Sequence, residues 1–459
     1  MAERPPNLLF IFPDQQRWDW GPWNEQLDIR TPNLARLAER GVRFEHTITS
    51  SPLCAPARAC LASGRNFWRC GVNDNCDDTP LDGPFFYQNL RAAGYEVCAV
   101  GKVDLHKGTA EWKTDGSSWL DQWGFTRGID NEGKHAGVVT GDEEPAGPYM
   151  AMLHREGWAD AHVKDLKSRH YFLDTQPTPL PEDLYSDNWI ADNCLSVLEQ
   201  VEVGKPWFMQ INYTGPHEPN DVTQSMWDSV QGRQFPGPVD STEFEPGDHH
   251  RIRQNYTAMI ENIDRHTGRI LDAIESRGEL ENTIVVYSSD HGEMLGDHNC
   301  WEKSNFYDGA LRVPLVIAGP GIDGGRVSDA LAQVNDLGPT FLDLAGAEPL
   351  GDSDGLSLRP VLEGRARGVH DYSYSGLNQR GSRGASSSYR VIRVTRFDVV
   401  CDGRYKLVVD HTEGRELLFD GKIDPHELTN IVDSEPEVAD RLRSALARQT
   451  SPGAGAPVR

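Results

Sequence analysis

The chain lacks any apolar run near the ~20 residues that span a bilayer, so nothing in it asks for a membrane. No secretory leader is expected either. After residues 1–6 the run Leu8-Leu9-Phe10-Ile11-Phe12 stops at Pro13-Asp14, short of the ~7–15 residues of a leader core, and reads as a buried first strand. The cytoplasm is therefore the expected compartment. Paired cysteines of the zinc or disulfide kind are also missing: eight Cys, at 54, 60, 70, 76, 98, 194, 300 and 401, are scattered along the chain, which in a reducing compartment means free thiols. Positive charge is scarce. Against 70 Asp+Glu stand 45 Lys+Arg, a formal charge of −25 whose field repels nucleic acid and other long polyanions. An anionic substrate would have to be held by a local cluster of cations, and a small ester suits that better than a densely sulfated polymer. There is no internal repeat and no low-complexity tract.

What is present is a chain of 459 residues, long enough for a large core. Short apolar runs at 7–12, 42–46, 95–100, 205–213 and 283–288 alternate with helical spacings, such as Leu34, Leu37 and Ala38, then Phe86, Leu90 and Ala93, then Met259, Ile263, Ile270 and Ile274. Such alternation predicts an α/β fold with a large, mostly parallel sheet sandwiched by helices. Irregular polar stretches at about 107–150 and 214–250 are too long for simple connections and are expected to meet the substrate's organic part. A Ser/Gly/Arg-rich stretch at 368–385 is read as a separator. After it, strand-like runs at 389–399, 405–409 and 416–419 and a helix around 436–448 predict a smaller antiparallel α+β subdomain, giving units 1–367 and 368–459, with a disordered tail from 451.

Two strand ends offer hard oxygen ligands: Asp14-Gln15 after the first strand, and Ser289-Asp290-His291-Gly292-Glu293 after 283–288. Open α/β sheets place ligands at such carboxyl ends. Between them in sequence lies Ser51-Pro-Leu-Cys54-Ala-Pro56-Ala-Arg58, closing on Ser63-Gly64-Arg65. A helix starting just after Pro56 would aim Arg58 and its own N-terminus at an anion.

The Cys-x-Pro-x-Arg segment with its following small-residue-Gly pair resembles the signature of the sulfatase family, within the alkaline phosphatase superfamily, and the resemblance runs through nearly the whole chain. It implies an alkaline-phosphatase-like fold in which Cys54 is oxidised to formylglycine by a maturation enzyme. The aldehyde hydrate offers two oxygens, one to attack sulfur and one to expel the product. Arg58 would hold the oxyanion, and one divalent metal, calcium before magnesium or manganese, would be bound by Asp14, Gln15, position 54, Asp290 and His291. By the same resemblance Lys102, His217 and Lys303 bind the sulfate and assist the leaving oxygen, and Asn75 lies on the substrate side. The family usually has Asp-Asp where this chain has Asp14-Gln15, which brings it closer to the phosphonate monoester hydrolase and choline-sulfatase-like branches. The function implied is hydrolysis of a small-molecule or saccharide sulfate ester, with a phosphonate or phosphate ester as the alternative.

A second departure falls at Gly101-Lys102-Val103-Asp104-Leu105-His106, where the family commonly reads Gly-Lys-x-His. If the segment stays extended, 102, 104 and 106 share one face, but four residues of strand cover about 13 Å. The expectation is that the loop curls, so that His106 serves as the base for the second step while Asp104 turns aside to orient it or a neighbouring cation.

Overall fold

The computed structural model describes residues 4–170, 173–380 and 395–450. Its organising element is β1 (Asn7–Asp14), buried along its whole length. Leu8, Phe10 and Phe12 enter one hydrophobic layer, while Leu9 and Ile11 enter the other, the period-two alternation of a strand covered on both faces. Seven further strands join it: β2 (Val42–Ile48), β3 (Glu96–Gly101), β4 (Arg127–Asp130), β5 (Trp207–Pro216), β6 (Thr283–Ser288), β7 (Leu315–Ala318) and β8 (Arg326–Gln333). Across the sheet they run β4-β3-β5-β1-β6-β7-β2-β8. Neighbours are parallel except at β7, which is antiparallel to both β6 and β2.

Helices cover both faces, as the alternation of the sequence predicts. On one face α1 (Pro32–Arg40) and the helices Ser186–Glu199 and Pro246–Ser276 bring Leu34, Ile190, Ile263 and Ile270 against Leu9 and Ile11. On the other, α2 (Cys54–Ser63), α3 (Phe86–Ala92) and the helix Leu337–Ala345 bring Leu61, Phe86, Leu90 and Phe341 against Phe10 and Phe208. The parallel directions put the carboxyl ends of β1, β3, β5 and β6 on one edge of the sheet, where Asp14, Lys102, His217 and Asp290 follow. No helix among the described residues is long and apolar enough to cross a membrane.

A second sheet, wholly antiparallel, consists of β9 (Ser373–Asn378), β10 (Arg396–Cys401), β11 (Tyr405–Asp410) and β12 (Arg415–Asp420) in the order β12-β11-β10-β9. One face packs Leu377, Phe397, Val408 and Phe419 on Leu53, Phe306 and Leu311 of the main body. The other carries the helix Pro436–Thr450 through Leu442, Ala445 and Leu446. The stretch read as a separator thus contains β9, because Tyr374 and Leu377 find burial among its Ser and Gly residues. The strand expected from 389 begins in the described residues only with β10, and 389–394, 381–385 and the tail from 451 lie outside them. The helix expected to start just after Pro56 starts three residues earlier, at Cys54, with Pro56 in a first turn that has no use for its missing N–H.

Candidate active site

Cys54 opens α2 directly beneath the sheet edge, fully buried. Its Sγ lies 3.2 Å from His291 Nε2 and 3.8 Å from Asp14 Oδ1. Ligand atoms of Asp14, Cys54, Asp290 and His291 all fall within 4.8 Å of one another. His291 Nδ1 is 3.0 Å from the carbonyl oxygen of Gly292, to which it donates, and this turns Nε2 into the cluster. Two buried carboxylates and an imidazole so arranged fit one hard divalent cation, and the Cys54 sulfur occupies the place of the hydroxyl oxygens that a modified residue would present.

Arg58, one turn along α2, binds both carboxylates: Nε to Asp290 Oδ2 at 2.9 Å and Nη2 to Asp14 Oδ2 at 3.3 Å. Nη1 donates to Asn212 Oδ1 at 3.2 Å and to the carbonyl of Lys102. Lys102 Nζ reaches Asp14 Oδ2 at 2.5 Å. Burial pushes the Asp14 carboxyl up, but Lys102, His217, Arg58 and His291 outweigh it and hold the group well below its usual range. Burial and Asp14 likewise push the Cys54 thiol up, and Lys102, Lys107 and Lys303 together drive it well below the ordinary value. Burial alone would lower His291; Asp290 and Cys54 reverse this and raise it to about 9, so Nε2 carries a proton that a divalent cation at the cluster would displace.

Above the cluster opens a cavity of about 450 Å³, within the range of small-molecule sites. Lys102, His217, Lys303 and Asn75 line it, with Lys107, Trp112, Glu132 and His135 from the 107–150 stretch. Only the start of the 214–250 stretch contributes, through Thr214, His217 and Glu218. Asn75 Oδ1 also accepts the Ala55 N–H at 3.0 Å, capping the first turn of α2. Lys303 Nζ donates to His217 Nε2 at 2.6 Å, and His217 Nδ1 donates to the Glu218 carbonyl at 2.6 Å, a pairing that fixes the tautomer.

Two expected residues are placed differently. Gln15, expected as a metal ligand, turns its amide carbonyl to Lys303 and its NH₂ to Glu218 and Glu293. His106 is not brought to the cluster. Asp104 adopts φ 61°, which ends the extended backbone, so the shared face of 102 and 104 does not continue to 106. His106 Nε2 instead meets Asp130 Oδ2 at 2.8 Å, and the ring stacks on Trp123 at 5.4 Å. Burial would lower its pKa, and the bond to Asp130 raises it. Asp104 does orient cations: its Oδ2 is 3.4 Å from Lys102 Nζ and 2.7 Å from Lys107 Nζ. Sequence reasoning missed Asn212, Glu218, Glu293 and Lys107. Glu218 and Glu293 sit inside motifs already singled out for their neighbours, while Asn212 carries no signal of its own.

The sequence profile of the sulfatase family matches residues 6–347, about three quarters of the chain. The chain belongs to the sulfatase family. A second profile, the C-terminal part of N-sulphoglucosamine sulphohydrolase, matches residues 296–451. An arylsulfatase of Clostridium perfringens is 28% identical over 478 residues, covering 97% of this chain and 94% of the relative. The phosphonate monoester hydrolase of Agrobacterium radiobacter superposes with a TM-score of 0.80 at 24% identity, over 97% of this chain and 95% of that one. A structure solved with its substrate D-glucosamine-2-N,6-O-disulfate gives a TM-score of 0.77 at 21% identity, over 97% and 98% of the two chains. The protein is a sulfuric ester hydrolase, and its two-sheet architecture is the alkaline-phosphatase-like fold that the resemblance implied.

Proposed function

We propose that this sulfatase cleaves the sulfate ester of a small alcohol or saccharide at position 54, matured to formylglycine, beside one divalent cation held by Asp14, Asp290 and His291. The observation that carries this is the convergence of four ligand atoms within 4.8 Å beneath a cation-lined cavity. When bound, the cation would lower the pKa of a hydroxyl at position 54, and the formylglycine hydrate would supply two such hydroxyls on one carbon. Calcium, magnesium and manganese all suit the oxygen-rich donor set. Arg58 holds Asp14 and Asp290 in place through its two ion pairs. Lys102 faces the sulfate from the end of β3, and Asn75 lines the substrate side. The Lys303–His217 pair shares a proton that can pass to the departing ester oxygen. Because Cys54 is fully buried, the maturation enzyme must act before the chain has folded. All eight cysteines are free thiols, which supports work in the cytoplasm.

A phosphonate or phosphate ester is the second reading. Gln15 puts a neutral amide where the family usually has an Asp, and one negative charge fewer favours a more highly charged anion. Mass spectrometry of position 54 and paired rates on aryl sulfate and aryl phosphonate decide between them: the sulfate reading requires the modified residue and the faster sulfate rate. Cys54→Ala should abolish turnover in a folded protein. Asp290→Asn should remove both the metal, by elemental analysis, and the activity.

A further inference from the structure

The loop after β3 departs from the family pattern at the position where an imidazole is usual, and the structure shows what the chain has built there instead. Val103 and Leu105 are buried in the core, which leaves Lys102 and Asp104 on the side of the site. Asp130 pins the loop from below: Oδ1 accepts the Val103 N–H at 2.9 Å and Oδ2 meets His106. The Leu105 carbonyl accepts the Thr79 N–H at 2.8 Å. With the chain reversed at Asp104, it is Lys107 that returns to the cavity. Its Nζ and that of Lys102 meet on the same oxygen of Asp104, while the other oxygen, Oδ1, is buried without a hydrogen-bond partner.

Resting on the sulfatase reading above, we propose that Lys107 is a specificity-determining cation that binds the substrate's sulfate alongside Lys102, and that Asp104 is the residue that positions it. Lys102 is also held by Asp14 at 2.5 Å, whereas Lys107 is paired with Asp104 at 2.7 Å and, with 18% of its side chain exposed against 8% for Lys102, is the one that faces the open cavity. The two-lysine arrangement takes over the anion-binding part of the usual Lys-x-His pair, and the imidazole of His106 is spent on holding the loop. A charge-assisted hydrogen bond to the sulfate is worth roughly tenfold or more in affinity.

Binding of inorganic sulfate to the metal-loaded enzyme, measured by calorimetry, and turnover of 4-nitrophenyl sulfate test this together. Lys107→Gln should weaken sulfate binding about tenfold and raise KM by a similar factor, with a smaller change in kcat, whereas Lys107→Arg should keep most of the affinity. Asp104→Asn should move sulfate affinity in the same direction as Lys107→Gln, at an unchanged far-UV circular dichroism spectrum. If Lys107→Gln binds sulfate and turns over ester with wild-type constants, the proposal is overturned while the hydrolase reading stands. If the wild type binds sulfate through Lys107 but cleaves no sulfate ester, the hydrolase reading fails and the proposal survives it.

Discussion

Gln15 sits between two acids, and a carboxylate in its place would be a third negative charge in a closed space. Its NH₂ donates to Glu218 and Glu293, and its carbonyl accepts from Lys303. Burial and the neighbouring Glu218 push the Glu293 carboxyl up to about 7, while His217 and Lys303 overcome burial to hold Glu218 well below its usual range. Only a group that can both donate and accept satisfies all three partners. Gln15→Glu should therefore cost about 3 kcal/mol of stability, since it removes a donor from two buried acids and adds a charge between them. Denaturant titration at pH 7 and pH 5 checks this: the loss should shrink at the lower pH, where protonation restores a donor. At this scale the cluster of Asp14, Cys54, Asp290 and His291 was legible, because its members sit in short motifs at strand and helix ends. The surroundings of Gln15 were not, because Glu218 and Glu293 lie 203 and 278 residues away in sequence. Nor was the turn at Asp104, because a positive φ at a non-glycine residue leaves no mark in the pattern.

Strands announce themselves when they are buried on both faces, and here β1 and β6 do so with continuous apolar runs whose ends supply Asp14 and Asp290. Four others escaped the sequence reading. β4 and β7 have only four residues each, too few for alternation to show, β8 lies at the sheet edge with its first residues partly exposed, and β9 is written in Ser and Gly. The second sheet is joined to the main body by a charged clasp as well as by packing. Lys406 of β11 meets Asp308 at 2.6 Å and also Glu427, whose Oε2 accepts the Asp308 N–H at 2.7 Å. Lys406→Met would leave the buried Glu427 facing Asp308 with Arg312, 3.3 Å from Asp308, still in place, and about 3 kcal/mol of stability should be lost. Burial and Asp308 raise Glu427 from 4.5 to about 7 against the pull of Lys406. Between those values the folded chain holds more protons at this site than the unfolded chain, so its contribution to stability falls as pH rises. Wild type minus Glu427→Gln, compared by chemical denaturation from pH 4.5 to 7, should show that decline; a flat difference would remove the clasp from the account.

At the scale of the whole molecule, a formal charge of −25 surrounds a cavity that four lysines line: Lys102, Lys107, Lys134 and Lys303. The two fields act over different distances. A small ester that fits within about 450 Å³ is screened from the outer surface by the walls around it and meets four lysines against three glutamates, Glu132, Glu218 and Glu302. A sulfated polymer must lay its remaining charges across the acidic exterior, where repulsion extends about 10 Å at 0.1 M salt and about 30 Å at 0.01 M. The enzyme should therefore cleave a sulfated monosaccharide at least ~10-fold faster, in kcat/KM, than the same sulfated unit inside a polysulfated chain when ionic strength is low. Raising the salt to about 0.15 M should narrow the gap from both sides, speeding the polymer as its repulsion is screened and slowing the small ester as its attraction to the lysines weakens. Parallel initial rates on the two substrates across that range measure both slopes. A polymer preferred at low salt, and slowed as salt is added, would mean that the lysine-lined cavity continues into a basic track on the surface and that the acidic balance of the composition lies elsewhere on the molecule.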